Sequence, residues 1–361
     1  MAEMAQSLSP ASPGRPGGTD GTDGGAPGGG PGGGAPVHRS GTPAAPNQLL
    51  RPRTEGDMRI QRDTAPKEPA ALCRYVLPTE LGPCTVRVQK GTGGPAPASG
   101  TADVYLHGAA GSWTSFLPLL SGMPPRPQVI IDLPGWGDST KGARLEHFGI
   151  EAMARAVTGV LNSLGYERWN LVGHSMGGFL ALHIAAAWPE RTASVAAVSA
   201  VTFGAAEAAR RPLRSLPGFP AFAGMLLLMR SMTALGPTGA ALVRAVGSTP
   251  VMGLLMSPFF ANPAAMSRRV IRGLGDDARP AGFCAAAQAA AYYDFGHWRG
   301  IRCPVLATRG DRDVFTPPSD LARLAEVVPL AQLVTIPRCG HFANIERPEQ
   351  IRRLLDSLHS L

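Results

Sequence analysis

The stretch Trp169–Glu190, WNLVGHSMGGFLALHIAAAWPE, decides the fold. A short apolar run gives way to glycines around a serine, and then to an alanine-rich segment with helical spacing. The first part reads as a buried strand and the last as a helix. Gly173-His174-Ser175-Met176-Gly177 must turn between them. So sharp a strand-to-helix turn forces the serine into a strained backbone conformation, and side chains two positions before and after it would collide. Glycine stands at both positions. The turn presents Ser175 Oγ above the sheet edge, at a helix N-terminus whose free N–H groups and dipole stabilise developing negative charge. The bland alternative is a glycine-rich turn with an incidental serine.

The neighbouring segments repeat the form. CTVRV (Cys84–Val88) alternates like a strand, and GTGGPAPASG follows as a loop. DVYL runs into HGAAGSW, QVIIDL into PGWGDS, and a helix-like segment, Glu146–Leu164, precedes the serine turn. SVAAVSA follows the helix Met176–Trp188. CPVLATRGDRD and AQLVTIPRCGHF come later, separated by the helix-like SDLARLAEVV, and RPEQIRRLLDSLHSL closes the chain. Apolar runs ending in polar or Gly-rich loops, with helices between, predict an α/β fold: a mainly parallel sheet with helices on both faces. Chemistry in such sheets lies at the carboxyl ends of the strands. Residues 203–298 interrupt the alternation with a helical, Met- and Leu-rich segment, read as an inserted cap; 69–202 and 299–361 make the catalytic domain. Residues 1–68 are a Gly/Pro-rich tail whose composition cannot bury a core and is read as disordered.

A serine needs a base to remove its proton, and the base needs an orienting carboxylate. Asp311 and Asp313 sit in the loop after one late strand, and His341 in the loop after the next. Nucleophile, acid and base thus follow in the order that hydrolases of this layout use. LHGAAGS (Leu106–Ser112) also follows a strand, and its small residues let a backbone N–H approach an oxyanion.

From about Cys84 to Leu361 the chain resembles the α/β-hydrolase superfamily, and within it the cap-domain esterases, lipases and C–C-bond hydrolases. The resemblance implies Ser175 as nucleophile, His341 in GHF as base, and Asp313 as acid, since a Gly, two variable residues and the acid match Gly310-Asp311-Arg312-Asp313. It implies the backbone N–H groups of Ala109 and Met176 as oxyanion donors. The DLPGWGDS loop (Asp132–Ser139) matches a structural loop of the family. Epoxide hydrolases and haloalkane dehalogenases of the superfamily carry an aspartate nucleophile, so the serine disfavours both activities.

The cap holds the substrate information. Met225, Met229 and Met232 fall on one helical face, which suits either an adaptable apolar pocket or packing between cap helices. Trp113 and Trp136 are candidates for the pocket wall or for the core. Nine arginines of the cap face only Glu207, Asp276, Asp277 and Asp294, so much of the chain's net +8 is concentrated there. An amphiphilic substrate with an anionic end, an acidic carrier protein or an anionic membrane surface would each fit. With only three lysines in the chain, part of the basicity reads as the coding bias of a GC-rich genome. No zinc-finger spacing or aromatic-interleaved basic run supports nucleic acid. The odd, scattered cysteines, Cys73, Cys84, Cys284, Cys303 and Cys339, suggest reduced thiols. The N-terminus lacks an apolar signal region, so a cytoplasmic protein is expected; His147, His183 and His297 are isolated and lack ligand spacing, so no metal is expected, nor is a cofactor. The sequence reading is a serine hydrolase acting on a carboxylic ester with a hydrophobic acyl or alcohol part. A thioesterase, a C–C-bond hydrolase and a non-catalytic binding protein of the same fold are its rivals.

Overall fold

The computed structural model describes residues 72–89, 100–109, 111–124, 126–247, 249–266 and 268–360. The tail, and all but the last residue of the GTGGPAPASG loop, lie outside the described residues. Eight strands make one sheet: β1 (Cys73–Thr79), β2 (Gly82–Gln89), β3 (Thr101–Leu106), β4 (Gln128–Ile131), β5 (Arg168–His174), β6 (Thr192–Val198), β7 (Val305–Gly310) and β8 (Ala331–Ile336). Their order is β1-β2-β4-β3-β5-β6-β7-β8. The β1–β2 and β2–β4 pairs are antiparallel and the rest are parallel.

Period-two alternation divides the strand residues between two cores. Leu171, Val195, Ala197, Val305 and Ala307 pack on one face with helices Ile150–Ser163 and Met176–Ala187. Val172, Ala196, Val198 and Leu306 pack on the other with Ile351, Leu355 and Leu358 of the last helix, Pro348–His359. Burial on both faces makes each central strand an unbroken apolar run. β1 carries no such run. It is an edge strand, largely exposed, paired to β2 across the turn at Glu80-Leu81. The helix expected from Glu146 begins later, at Ile150, after a 3₁₀ turn (Leu145–His147) and an extended Gly149.

Chain order reverses at β3. After β4 the chain crosses to the far side of β3 and enters β5, so the carboxyl ends of β3 and β5 lie side by side, with Leu106 opposite Gly173. A crevice at such a reversal is where open α/β sheets bind ligands.

Between β6 and β7 the described residues are helical: Phe203–Arg210, Pro212–Ser215, Pro220–Ala234, Gly236–Gly247, Val251–Met256, Arg268–Asp276 and Pro280–Ala291, with short 3₁₀ turns. Pro212, Pro220 and Pro280 stand at helix starts, where their missing N–H costs nothing. Two carboxylates, the buried Asp320 and the half-buried Glu346, tie this insertion to the segments that follow β7 and β8. Asp320 accepts from Thr202 Oγ1 (2.8 Å) and the Gly204 N–H (3.0 Å). Glu346 accepts from the N–H groups of Ala261 and Gly340, both at 2.8 Å. Among the described residues no single helix is long and apolar enough to cross a membrane.

Candidate active site

Ser175 follows β5 and precedes helix Met176–Ala187, with φ 55° and ψ −118°, a left-handed conformation unusual for a non-glycine residue. The turn is as tight as the sequence implies. A Cβ at Gly173 would strike the Gly177 carbonyl, and one at Gly177 would strike the Leu106 carbonyl. The N–H of Met176 is the first of its helix, one of the donors that helices leave without an internal partner. Gly108 packs against the serine, and an added Cβ there would lie 2.9 Å from Ser175 Cβ and 3.4 Å from its Oγ.

His341 and Asp313 meet as expected. His341 Nδ1–H donates to Asp313 Oδ1 (3.0 Å) and Oδ2 (3.2 Å). Burial by itself would raise the Asp313 carboxyl. The His341 charge and hydrogen bond, with the N–H groups of Phe315 (2.8 Å) and Thr316 (3.1 Å), outweigh it and hold the carboxyl below its ordinary range. Asp311 plays a different part. Its exposed carboxylate accepts the Cys339 N–H at 3.0 Å and so braces the His341 loop. The insertion braces the same loop, since the His341 N–H donates to the Phe259 carbonyl at 2.7 Å. Ser175 and His341 line one cavity. Cys339 is buried beside this site, and burial and the Glu346 charge push its thiol up.

Two buried devices hold the loop that carries Ala109. His107 Nδ1–H donates to the Gly108 carbonyl (2.8 Å) while its Nε2 accepts the Leu133 N–H (3.0 Å). Behind it, Asp132 accepts from Arg87 Nη1 (2.8 Å) and the Trp113 N–H (2.8 Å). Arg87 also pairs with Asp138 and lies 4.0 Å from the Trp113 ring centroid. Sequence reasoning missed this ion pair because Arg87 and Asp132 sit on different segments, and neither strand pattern marks them as partners.

Both tryptophans are corrections. Trp136 is 0% exposed and does not line the cavity. Its indole N–H donates to the Ala109 carbonyl at 2.6 Å and its ring packs edge-on against His107 and Phe148, so it supports the loop from behind. Trp113 is likewise outside the wall, held under Arg87. Met225, Met229 and Met232 do line the cavity, joined by Met252 and Met256. The cavity has a volume of about 350 Å3. Among its described lining residues Arg279 is the one fixed charge, and its Nε is buried without a hydrogen-bond partner. Among the described residues no three His, Cys, Asp or Glu side chains converge on a metal-binding position.

His174 packs beside His341, with ring centroids 5.0 Å apart, and its Nε2–H donates to the His341 carbonyl at 3.0 Å. Burial, then the nearby His341 charge, push its pKa from 6.5 to about 3. The folded chain therefore refuses a proton that the unfolded chain binds between these values. Stability falls as pH drops through that window, by up to about 1.4 kcal/mol per pH unit for this one group. Between pH 7.5 and 5 the wild type should lose about 2 kcal/mol more than His174→Gln, measured by urea unfolding. Equal losses would show that His174 does not carry the acid sensitivity.

The α/β-hydrolase-fold family matches residues 104–348, and the chain belongs to that family. It is 26% identical over 294 residues to a 2-hydroxy-6-oxo-6-phenylhexa-2,4-dienoate hydrolase of Burkholderia cepacia, covering 78% of this chain and 94% of that one. It is 28% identical over 321 residues to a 2-hydroxy-6-oxononadienedioate/2-hydroxy-6-oxononatrienedioate hydrolase of Paraburkholderia phymatum, covering 81% and 97%. Among solved structures, the enol-lactonase of Burkholderia xenovorans superposes with a TM-score of 0.59 at 18% identity, covering 80% of this chain and all of that one. Naproxen esterase of Bacillus subtilis gives 0.57 at 19%, covering 80% and 92%. These likenesses make the chain a hydrolase of this fold.

Proposed function

We propose that the chain is a serine hydrolase that cleaves a carboxylic ester with a hydrophobic acyl or alcohol part. One observation carries the reading: the strained Ser175 opens into the same apolar cavity as His341, whose far nitrogen is bonded to the buried Asp313. His341 takes the Ser175 proton as Oγ attacks the carbonyl carbon. The N–H groups of Ala109 and Met176 receive the oxyanion. The imidazolium, steadied by Asp313, protonates the leaving alcohol, and water then hydrolyses the acyl-enzyme by the same steps.

The methionines test where the acyl part lies. Met229→Ser should cost about tenfold to a hundredfold in kcat/KM on long-chain p-nitrophenyl esters, from about 25 cal/mol per Å2 of lost apolar burial. Acetyl esters should be nearly unaffected. A loss equal at all chain lengths, with a large drop in melting temperature, would make Met229 a packing residue only.

Cleavage of a C–C bond is the second reading, favoured by the names of the two curated relatives and by Arg279, a cation placed to meet a carboxylate. Parallel assays of p-nitrophenyl esters and a 2-hydroxy-6-oxo-dienoate separate the two. Turnover of the dienoate with none of the esters would overturn ester hydrolysis.

A further inference from the structure

The mouth of the cavity is apolar and exposed, and the insertion that forms it carries exposed arginines. Leu228, Leu242 and Leu255 come from three different helices, yet all line the cavity while remaining 46%, 50% and 50% exposed, so their outer surfaces surround its opening. Leu235, which caps the end of the first of these helices, and Val251 and Leu254, on the third, are also exposed, at 54%, 52% and 74%, without lining the cavity. Single exposed leucines are ordinary, but a group rimmed by polar residues marks a contact surface. Arg211, Arg214, Arg244 and Arg272 are exposed on the same insertion, and none is in an ion pair among the described residues.

We propose that this rim docks on a bilayer surface carrying anionic phospholipid, so that an amphiphilic substrate passes from the lipid into the cavity. The passage of substrate rests on the hydrolase reading, whereas the docking stands apart from it. Interfacial binding needs an apolar face for the acyl boundary and arginines for the headgroups, and the insertion carries both. A protein seated here would plug the opening that a lipid surface feeds. A second copy would set arginines against arginines, which repels. The rim is also built from leucine and valine, where protein interfaces favour aromatic anchors.

The test uses the full chain carrying Ser175→Ala, so that binding is read without hydrolysis. Flotation with vesicles of phosphatidylcholine and phosphatidylglycerol should carry the protein up, and raised salt should release it, because screening shortens the reach of the arginines. Phosphatidylcholine vesicles alone should retain far less. Leu235→Ser with Leu254→Ser should weaken partition about tenfold or more. Arg244→Gln with Arg272→Gln should flatten the salt dependence. In the Ser175 background both pairs should keep wild-type kcat/KM on a soluble short-chain ester, since none of the four residues lines the cavity. No binding to mixed vesicles, or binding that neither pair weakens, overturns the proposal. So does sedimentation showing a dimer that the leucine pair dissolves, which would make the rim a self-association surface. Vesicle binding by a protein that turns over no ester would leave the docking standing and remove the ester-hydrolase reading.

Discussion

Asp313→Asn is expected to lower kcat by about 10³–10⁴ while leaving the fold intact. The His341 Nδ1–H donates to both carboxylate oxygens of Asp313, at 3.0 and 3.2 Å, and that contact fixes the tautomer with Nε2 free to take a proton. An asparagine amide can present its NH2 to Nδ1, which turns the imidazole into the wrong tautomer and removes the charge that steadies the imidazolium. Asp311→Asn gives the contrast. Asp311 is exposed and meets the Cys339 N–H, so its loss should change kcat by less than about tenfold, through slight loosening of the loop. The ranking is read from kcat on one p-nitrophenyl ester. A reversed ranking would move the acid to Asp311.

The second large effect is on stability. Asp132→Leu is expected to cost about 3–5 kcal/mol, a large share of the 5–15 kcal/mol that holds a typical domain together. The Asp132 side chain is 0% exposed and the Arg87 side chain 9%, so the change takes from a buried cation its buried partner and leaves it only Asp138, whose side chain is 48% exposed. It also leaves the N–H groups of Trp113 and Asp138 without the carboxylate they donate to, at 2.8 and 3.2 Å. Adding Arg87→Met should recover much of the loss, because the buried cation then goes with its buried partner. Urea unfolding of the single and double variants measures both. A single-variant cost below about 1 kcal/mol would show that the pair is not what holds the DLPGWGDS loop.

The central strands and the serine turn were legible because their cause is local. Strands buried on both faces read as apolar runs, and Gly173 and Gly177 are required by carbonyls that leave no room for a Cβ. The order of Ser175, Asp313 and His341 was legible because each ends or follows a strand. β1 was not, since an exposed edge strand has no apolar run to show. The tryptophans were read as wall or core with nothing to choose between them, because an indole suits either; only the Ala109 carbonyl 2.6 Å from Trp136 Nε1 places that ring behind the loop. The bracing of the His341 loop by Phe259 and Glu346 joins segments some 80 residues apart, and no pattern within one segment reports such contacts. Nor does helical spacing alone distinguish a methionine face on a cavity from one packed between helices.

The most direct test of the account is covalent labelling of the nucleophile. The active protein is treated with a fluorophosphonate until ester hydrolysis stops, and the product is read by intact mass and peptide mapping. The account predicts one adduct per chain, carried by Ser175, with labelling slowed in His341→Ala. Full inactivation with the adduct on another residue, or an enzyme that stays active and unlabelled, would contradict it.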